Sequence, residues 1–311
     1  MKKKIICIVG PTASGKTGLS IELAKRIDAE IISADSMQIY KGLDIGTAKV
    51  TKEEMQGIKH HLIDICEITD KFSVADFKSI CYDKINEILS RNKNVIICGG
   101  TGLYISAIVD DMNFDEEEVD IEYRKYLENL AKENSNEYVH DLLKKIDPVS
   151  ASEIHPNNLK RVIRALEFVR NSDKLKSTHM REEKERILSK SSKYEFLIYY
   201  INHDREYLYE RINKRVDMMI KDGVVEEALK VYHMNLGKDN TCMQAIGYKE
   251  FFPYFKGEDT LDNCILKLKQ ETRRYAKRQI TWFKNKLDVC YLDGKKDTNE
   301  LVNDIIESAN Y

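Results

Sequence analysis

The sequence of 311 residues predicts an α/β protein in which helices cover both faces of a parallel sheet and an all-helical domain is inserted into the chain. Two observations predict this fold class. In the first third, short runs rich in Ile and Val alternate with amphipathic stretches of helical periodicity, which is typical of a parallel sheet with right-handed crossovers. The first run also leads directly into a loop that matches GxxxxGK[ST], so we expect a P-loop NTPase-like core.

Short apolar runs are the candidate strands of this sheet. The first three are rich in Ile and Val, end at Gly, Asp or Ser and are interpreted as buried parallel strands, and two later runs supply further candidates. The candidate strands are residues 5–9, 30–33, 95–98, 195–201 and 289–292. Between them, helical periodicity predicts helices over 15–27 and 74–90.

The middle of the chain shows helical periodicity and no convincing strand between residues 120 and 170. There, Asn157 or Asn158 is placed to cap a helix that starts near Leu159. An acidic run over 110–122 introduces this part, and we interpret it as a solvated hinge. The predicted segments are a first part of the core, a helical insertion and a completion of the core with a basic C-terminal helix, at residues 1–112, 113–194 and 195–311.

Composition and charge exclude several classes of protein. Fifty Lys and Arg residues against fifty-two Asp and Glu residues give a net charge of −2, which excludes a globally basic nucleic-acid coat. No run approaches the ~20 apolar residues of a membrane span, and no two of the seven cysteines form a CxxC pair. We therefore expect a cytoplasmic protein with no membrane partner, and we expect a monomer.

A local basic stripe stands out on this neutral chain. Residues 267–286 read as one long helix that carries eight Lys and Arg residues and the single acid Glu271. A solvated helix face and a nucleic-acid contact both explain this pattern.

The GxxxxGK[ST] motif predicts a phosphate-binding loop between a strand and a helix. Its glycines allow backbone N–H groups to converge, and the helix N-terminus adds a positive dipole end. Lys16 is expected to contact phosphate oxygens, and the Thr17 hydroxyl is expected to bind Mg²⁺. The predicted diphosphate-binding residues are Gly10, Pro11, Thr12, Ala13, Ser14, Gly15, Lys16 and Thr17.

The motifs that are missing narrow the chemistry. A GTPase switch requires DxxG, and no Asp of this chain is followed by Gly at that spacing. Motor and transport ATPases end a strand with an Asp that orders Mg²⁺, whereas the candidate strand 95–98 runs into the sequence GGTG. A small kinase or transferase is therefore favoured over a switch or a motor.

A carboxylate follows the second candidate strand. Asp35 lies where the carboxyl ends of parallel strands face the ligand crevice, so it is a candidate general base. A turn or capping role is the alternative. The glycine-punctuated loop over 42–49 follows and is predicted to face substrate, while His60 and His61 are interpreted as structural residues.

The chain resembles the bacterial tRNA dimethylallyltransferases, also called tRNA isopentenyltransferases. The resemblance extends over residues 10 to 285 as an ordered set of stretches, which is far more specific than the P-loop alone. The matching stretches are GPTASGKT (10–17), ISADSMQIYKGLDIGTAK (32–49), HHLID (60–64), FSVADF (72–77), GGTGLY (99–104), DP (147–148), IHPNNLKRVIRALE (154–167), IGYKE (246–250) and RRYAKRQITWFKN (273–285).

The resemblance implies transfer of a dimethylallyl group from dimethylallyl diphosphate to N6 of adenosine 37, next to the anticodon of tRNA. Pyrophosphate is released, and Mg²⁺ is the implied cofactor. Catalytic roles are implied for Asp35, which accepts a proton from the amine, for Lys16 and Thr17 at the diphosphate, for Thr101 near the reacting groups, and for Arg215 at the diphosphate.

The resemblance also implies a tRNA anticodon stem-loop as partner. An enzyme that acts on a stacked base must flip it out of the stack. The helical insertion and the basic helix are expected to bind the RNA. The expected tRNA-binding residues are Asp35, Ser36, Met37, Gln38, Thr101, Arg124, Lys160, Arg161, Val162, Ile163, Arg164, Gln244, Gly247, Tyr248, Lys249, Arg273, Arg274 and Lys277.

Three other functions are weighed against this one. A small-molecule nucleotide kinase would use ATP, and a prenyltransferase for free AMP or ADP would need no polymeric RNA. A non-catalytic RNA-binding P-loop module would bind tRNA without modifying it. The basic helix and the insertion favour RNA over a free nucleotide, and Asp35 with an intact P-loop favours an enzyme.

Overall fold

The computed structural model describes residues 2–114, 120–172, 174–189, 192–237 and 240–311. The chain forms two compact units, one of residues 1–110 with 192–311 and the other of residues 111–191. The sequence predicts the insertion over 113–194. The observed second unit, residues 111–191, begins two residues and ends three residues before these predicted bounds. Residues 115–119 of the predicted acidic hinge lie outside the described residues.

The larger unit is built on a parallel sheet. Its strands are β1 (Lys3–Val9), β2 (Ala29–Ser33), β3 (His60–His61), β4 (Asn94–Gly99), β5 (Tyr194–Asn202) and β6 (Cys290–Asp293). Their order is β3-β2-β4-β1-β5-β6, and all five pairings are parallel. The five candidate runs correspond to β1, β2, β4, β5 and β6. The sequence analysis missed β3, because two residues are too few to form an apolar run.

The helices follow the predicted pattern of alternation. In chain order they are α1 (Lys16–Arg26), α2 (Lys52–Met55), α3 (Val74–Ser90), α4 (Gly102–Val109), α5 (Ile121–Glu133), α6 (Asn136–Ile146), α7 (Pro148–Glu153), α8 (Leu159–Asn171), α9 (Lys176–Ser189), α10 (Arg205–Lys221), α11 (Val224–His233), α12 (Phe252–Phe255), α13 (Leu261–Lys286) and α14 (Thr298–Ala309). Two short 3₁₀ helices, Cys242–Gln244 and Lys249–Phe251, lie between α11 and α12.

Helices cover both faces of the sheet, as predicted. Along β1, Ile5, Cys7 and Val9 point to one face and pack with α3, α4 and Phe283 of α13. Ile6 and Ile8 point to the other face and pack with α1 and α14. These five side chains are fully buried, and burying each isoleucine contributes about 1.5–3 kcal/mol of transfer free energy. This α/β/α sandwich fixes the carboxyl ends of the strands at one edge.

A further apolar cluster lies beyond the carboxyl end of β2. It packs Ile39, Tyr40 and Leu43 of the following loop against α10, α11 and α13. These contacts hold the loops next to the P-loop in place.

The second unit, α5 to α9, has an apolar core of its own. Leu127, Val139, Leu143 and Leu166 are buried in it. Asn158 precedes α8 as its N-cap residue, although its side chain makes no capping hydrogen bond. Among the helices of the described ranges, none has both the length and the apolar character needed to cross a membrane.

Candidate active site

The loop between β1 and α1 forms a cradle of backbone N–H groups. Ala13 and Gly15 have positive φ angles of 64° and 94°, and Gly15 directly precedes α1. Within the described ranges, the N–H groups of Gly15, Lys16 and Thr17 have no protein hydrogen-bond acceptor. Unpaired N–H groups at a helix N-terminus bind anions, and the helix dipole adds to the attraction. The predicted diphosphate loop therefore has the backbone geometry that such a ligand requires.

Two cationic side chains accompany the cradle. Lys16 Nζ donates to the carbonyl oxygen of Pro11 at 2.6 Å, and Arg215 Nη1 lies 3.4 Å from Thr12 Oγ1. Burial lowers the pKa of Lys16 to about 8; Cys98 and Asp35 oppose this shift, whereas Arg215 adds to it. Burial also lowers the pKa of Arg215. An anion bound here would offset the desolvation of both cations.

The neighbouring arginine has a different place. Arg211 lies one helical turn before Arg215, is exposed, and donates from Nε to the carbonyl oxygen of Ala13 at 2.7 Å. Arg215 is among the residues that line the cavity described below, and Arg211 is not. Of the two arginines, Arg215 alone is thus placed at the cavity, and its contact with a diphosphate stays a prediction.

Asp35 lies two residues beyond β2 and combines the two roles considered for it. Its Oδ1 accepts the N–H groups of Met37 at 2.9 Å and Gln38 at 3.4 Å, so one oxygen stabilises the turn. Asp35 also lines the same cavity as Lys16 and Arg215. The turn fixes the direction of the carboxylate and brings it into the cavity.

Thr101 connects the ends of two strands. It follows β4, and its Oγ1 accepts the N–H of Ser36 at 3.0 Å. Ser36 lines the cavity, whereas Thr101 stands behind it. The structure therefore places Thr101 next to the turn that carries Asp35.

Two residues of α13 complete the site, and the sequence analysis did not single them out. Tyr275 lines the cavity; burial, together with the charge of Asp35, raises the pKa of its phenol, while hydrogen bonds with Thr101 and Gln279 oppose the rise. Gln279 accepts the N–H of Thr12 at 2.8 Å and donates to the carbonyl oxygen of Gly100 at 2.9 Å. The available signal was their four-residue spacing within the stretch RRYAKRQITWFKN, which places two polar side chains on one helix face.

The glycines after β4 make close approaches that exclude a side chain. A Cβ on Gly99 would lie 2.2 Å from the carbonyl oxygen of Ala34, and one on Gly100 would lie 2.3 Å from Gln279 Nε2. A Cβ on Gly102 would lie 2.3 Å from Cδ1 of Trp282. The sequence GGTG thus lets Ala34, directly after β2, and α13 pack tightly against the end of β4.

These groups surround one cavity of about 350 Å³ at the carboxyl ends of the strands. Three residues of the predicted diphosphate loop line it, while Ser14 lies buried beneath the loop. The polar and charged residues that line the cavity include Thr12, Lys16, Thr17, Asp35, Ser36, Gln38, Arg215, Gln244, Lys249, Thr272, Tyr275, Arg278 and Gln279.

Comparison with known proteins shows the family. The profile of the family described as IPP transferase matches residues 38–286. A tRNA dimethylallyltransferase of Bacillus subtilis (strain 168) is 49% identical over 292 residues, which cover 94% of this chain and 91% of the relative. The chain belongs to the IPP transferase family. A tRNA dimethylallyltransferase of Acetivibrio thermocellus is 48% identical to this IPP transferase over 307 residues, covering 99% of this chain and 96% of the relative.

Solved structures agree with this assignment. The full-length tRNA isopentenylpyrophosphate transferase of Bacillus halodurans matches with a TM-score of 0.74 and 43% identity, covering 99% of this chain and 96% of that one. A eukaryotic dimethylallyltransferase acting on tRNA matches with a TM-score of 0.81 and 31% identity, covering 99% of this chain and 77% of that one. The predicted fold class and family resemblance are thus confirmed.

In this IPP transferase, the residues expected to bind tRNA divide by exposure. Met37, Gln38, Gln244 and Lys249 line the cavity, and the last two are exposed. Tyr248 is fully buried, and its hydroxyl donates to Glu227 at 2.8 Å.

Gly247 precedes Tyr248 in the same segment and is also buried. It has a φ of 108°, and a Cβ there would lie 2.8 Å from the carbonyl oxygen of Gly46. Gly247 and Tyr248 therefore hold two loops together and present no side chain to an RNA.

The expected tRNA-binding residues of the helical unit also differ in their surroundings. Val162 and Ile163 are buried in the core of that unit, so their side chains have no surface for tRNA. Arg124 forms an ion pair with the buried carboxylate of Glu167, at 2.6 Å from Nη2 to Oε2. Its guanidinium is therefore already engaged within the unit. The remaining expected contacts on α8 are exposed and stay predictions: Lys160, Arg161 and Arg164.

The basic helix α13 carries cations with different surroundings. Arg273 is half-buried and donates from Nη1 to Asn213 Oδ1 at 2.6 Å. Arg274 is exposed and pairs with Glu271, and Lys277 is exposed. Arg274 and Lys277 are thus better placed than Arg273 to meet an RNA phosphate, and contact of all three with tRNA stays a prediction.

Proposed function

We propose that this IPP transferase is a tRNA dimethylallyltransferase that transfers the dimethylallyl group of dimethylallyl diphosphate to N6 of adenosine 37. One observation carries the proposal: the P-loop with Lys16, the Arg215 guanidinium and the Asp35 carboxylate line a single cavity. Relatives named tRNA dimethylallyltransferase match nearly the whole chain. The proposal includes a monomeric enzyme that works on tRNA in the cytoplasm.

The phosphate end of the cavity suits a leaving diphosphate. In the reaction, the bond between the allylic carbon and the diphosphate oxygen breaks, and the oxygen keeps the electron pair. Lys16, Arg215 and the N–H groups of the P-loop are placed to stabilise the charge that grows on that oxygen. Groups already oriented toward developing charge lower a barrier without reorganising during the reaction.

The acceptor end centres on Asp35. The N6 nitrogen of adenine forms the new bond to the allylic carbon, and one of its protons must then leave. The Asp35 carboxylate is the group proposed to accept that proton. The adenine must leave its base stack to reach this cavity, and Gln38 offers its amide oxygen to the edge of a flipped base.

Mg²⁺ fits the residues present and is part of the proposal. Hydroxyl, carboxylate and phosphate oxygens are the ligands that Mg²⁺ prefers, and Thr17 and Asp35 line the cavity together with the cradle. Thr17 would hold the ion together with the diphosphate of the substrate. When bound, Mg²⁺ supplies charge that stabilises the departing diphosphate.

The test is incubation of the protein with unmodified tRNA, Mg²⁺ and labelled dimethylallyl diphosphate, followed by nucleoside analysis. We expect label in N6-dimethylallyladenosine and one pyrophosphate released for each transfer. Parallel reactions contain AMP or ADP as acceptor, or ATP without the prenyl donor. Transfer to the free nucleotide alone would indicate a nucleotide prenyltransferase, formation of ADP would indicate a kinase, and tRNA binding without any product would indicate a non-catalytic module.

A further inference from the structure

The loop over residues 42–49 is held by a carboxylate to which the sequence analysis gave no role. Glu227 lies on α11, far from this loop in sequence. Its Oε2 accepts the N–H groups of Asp44 at 3.1 Å and Ile45 at 3.0 Å, and its Oε1 accepts that of Gly46 at 2.9 Å. The Tyr248 hydroxyl donates to Oε1 at 2.8 Å. One side chain thus accepts three successive backbone N–H groups and a phenol.

This arrangement resembles an anion site that the protein fills with its own side chain. Successive N–H groups that converge on one point form a nest that binds anions. Glu227 is only 9% exposed, and a buried carboxylate is tolerated when such donors surround it. Glu227 therefore determines the backbone path of residues 44–46.

Close packing around Gly46 further restricts the backbone path of residues 44–46. A Cβ on Gly46 would lie 2.6 Å from the Tyr248 ring, and one on Gly247 would lie 2.8 Å from the carbonyl oxygen of Gly46. At the far end of the loop, the buried Lys49 donates to the Tyr40 carbonyl oxygen at 2.8 Å. The loop is therefore anchored in its middle by Glu227 and at its far end by Lys49.

The anchored loop presents carbonyl groups to the active-site cavity. Gln38 Nε2 donates to the carbonyl oxygens of Thr47 at 3.3 Å and Ala48 at 3.4 Å, and Gln38 N donates to Asp35 Oδ1 at 3.4 Å. Arg215 reaches the Ala48 carbonyl oxygen only at 3.5 Å. The Ser33 hydroxyl of β2 donates to Gln38 Oε1 at 3.4 Å. The direction of the Gln38 amide is thus set by this hydroxyl together with two carbonyl groups of the loop that Glu227 holds.

We propose that Glu227 is a positioning residue that acts through the 42–49 loop to orient Gln38 for the acceptor base. This inference rests on the proposed function, because it assigns Gln38 to the adenine of the RNA. Glu227 touches no reacting atom. Its carboxylate determines whether the Gln38 amide faces the base with a fixed geometry.

The first test measures the loop itself by amide hydrogen exchange of the substrate-free protein. Glu227→Gln replaces one acceptor oxygen by an NH₂ group that faces backbone N–H groups. Glu226→Gln, an exposed neighbour on α11, is the matched control. We expect residues 44–48 to exchange at least tenfold faster in Glu227→Gln, with wild-type rates in the control and in the strands. Unchanged exchange of this loop would overturn the proposal.

The second test measures steady-state transfer. We expect kcat/KM for tRNA to fall at least tenfold in Glu227→Gln, while KM for dimethylallyl diphosphate stays within threefold. In a Gln38→Ala background the same substitution should cost less than threefold, because coupled residues are not additive. Full additivity, or a uniform rise of both KM values, would assign Glu227 a merely structural role. Wild-type protein without transfer to tRNA would refute the proposed function instead, and the exchange measurement would still decide whether Glu227 holds the loop.

Discussion

Replacing Gln279 by leucine tests whether α13 holds the P-loop to the end of β4. Leucine has a similar size and neither polar group, so the Thr12 N–H and the Gly100 carbonyl oxygen both lose their partner. Leaving a buried donor or acceptor unpaired costs about 1–3 kcal/mol. Gly100 is buried and meets this penalty in full, whereas Thr12 lines the cavity, where water replaces part of the lost bond. We expect the free energy of unfolding to fall by about 2–4 kcal/mol.

Urea unfolding measures this loss, and Trp282, the single tryptophan of the chain, lies on the same helix as a fluorescent reporter. The control is Gln270→Leu, half-buried on α13, for which we expect a change within about 0.5 kcal/mol. Because the P-loop and Gly100 both lose their hydrogen bond to Gln279, we expect kcat and the free energy of unfolding to fall together in Gln279→Leu. In the control Gln270→Leu we expect neither to fall. A loss below about 0.5 kcal/mol together with unchanged kcat would refute the reasoning.

Three further predictions concern the ligands. Because the pKa of Lys16 is lowered to about 8, its charged form prevails below that pH; affinity for pyrophosphate, measured by calorimetry, should fall as the pH rises above 8, and Lys16→Arg should remove this dependence. Identical pH profiles of pyrophosphate affinity for the wild-type protein and Lys16→Arg would contradict this role of Lys16. Asp35→Asn should leave both substrates bound and slow single-turnover transfer by ~10²–10⁴-fold; a rate within a few-fold of wild type would leave Asp35 only an orienting role. Replacing Arg274 and Lys277 by Gln should weaken tRNA binding and reduce the slope of log K against log salt by about two, because each lost phosphate contact removes roughly one. An unchanged slope of log K against log salt would show that Arg274 and Lys277 lie on a solvated face of α13 that does not contact tRNA.

Local signals were sufficient to predict the fold class and the P-loop. The runs that became β1, β2 and β4 are rich in Ile and Val because both faces of the sheet are covered, and this pattern is visible in a single sequence. The P-loop is equally local, since its glycines, Lys16 and Thr17 lie within eight residues.

The residues that the sequence analysis missed act over long separations. Gln279 bonds with Thr12 across 267 positions, and Glu227 bonds with Gly46 across 181. Neither partner carries a pattern that identifies the other. The same holds for Tyr248, which was expected to bind tRNA because its segment resembles the family: only the tertiary structure shows that its ring packs against Gly46.

The geometry of α13 has a consequence for how this chain tolerates insertions and deletions. Tyr275, Gln279 and Trp282 recur at spacings of four and three residues, and each makes its contact from one side of the helix. Removing one residue at position 277 would rotate everything after it by about 100° relative to what precedes. Tyr275 would keep its direction, while Gln279 and Trp282 would turn away from Gly100 and Ser106. A length change in this stretch should therefore be far more damaging than most single substitutions on its exposed side, so we expect the spacing between these three residues to be maintained while the exposed positions between them vary.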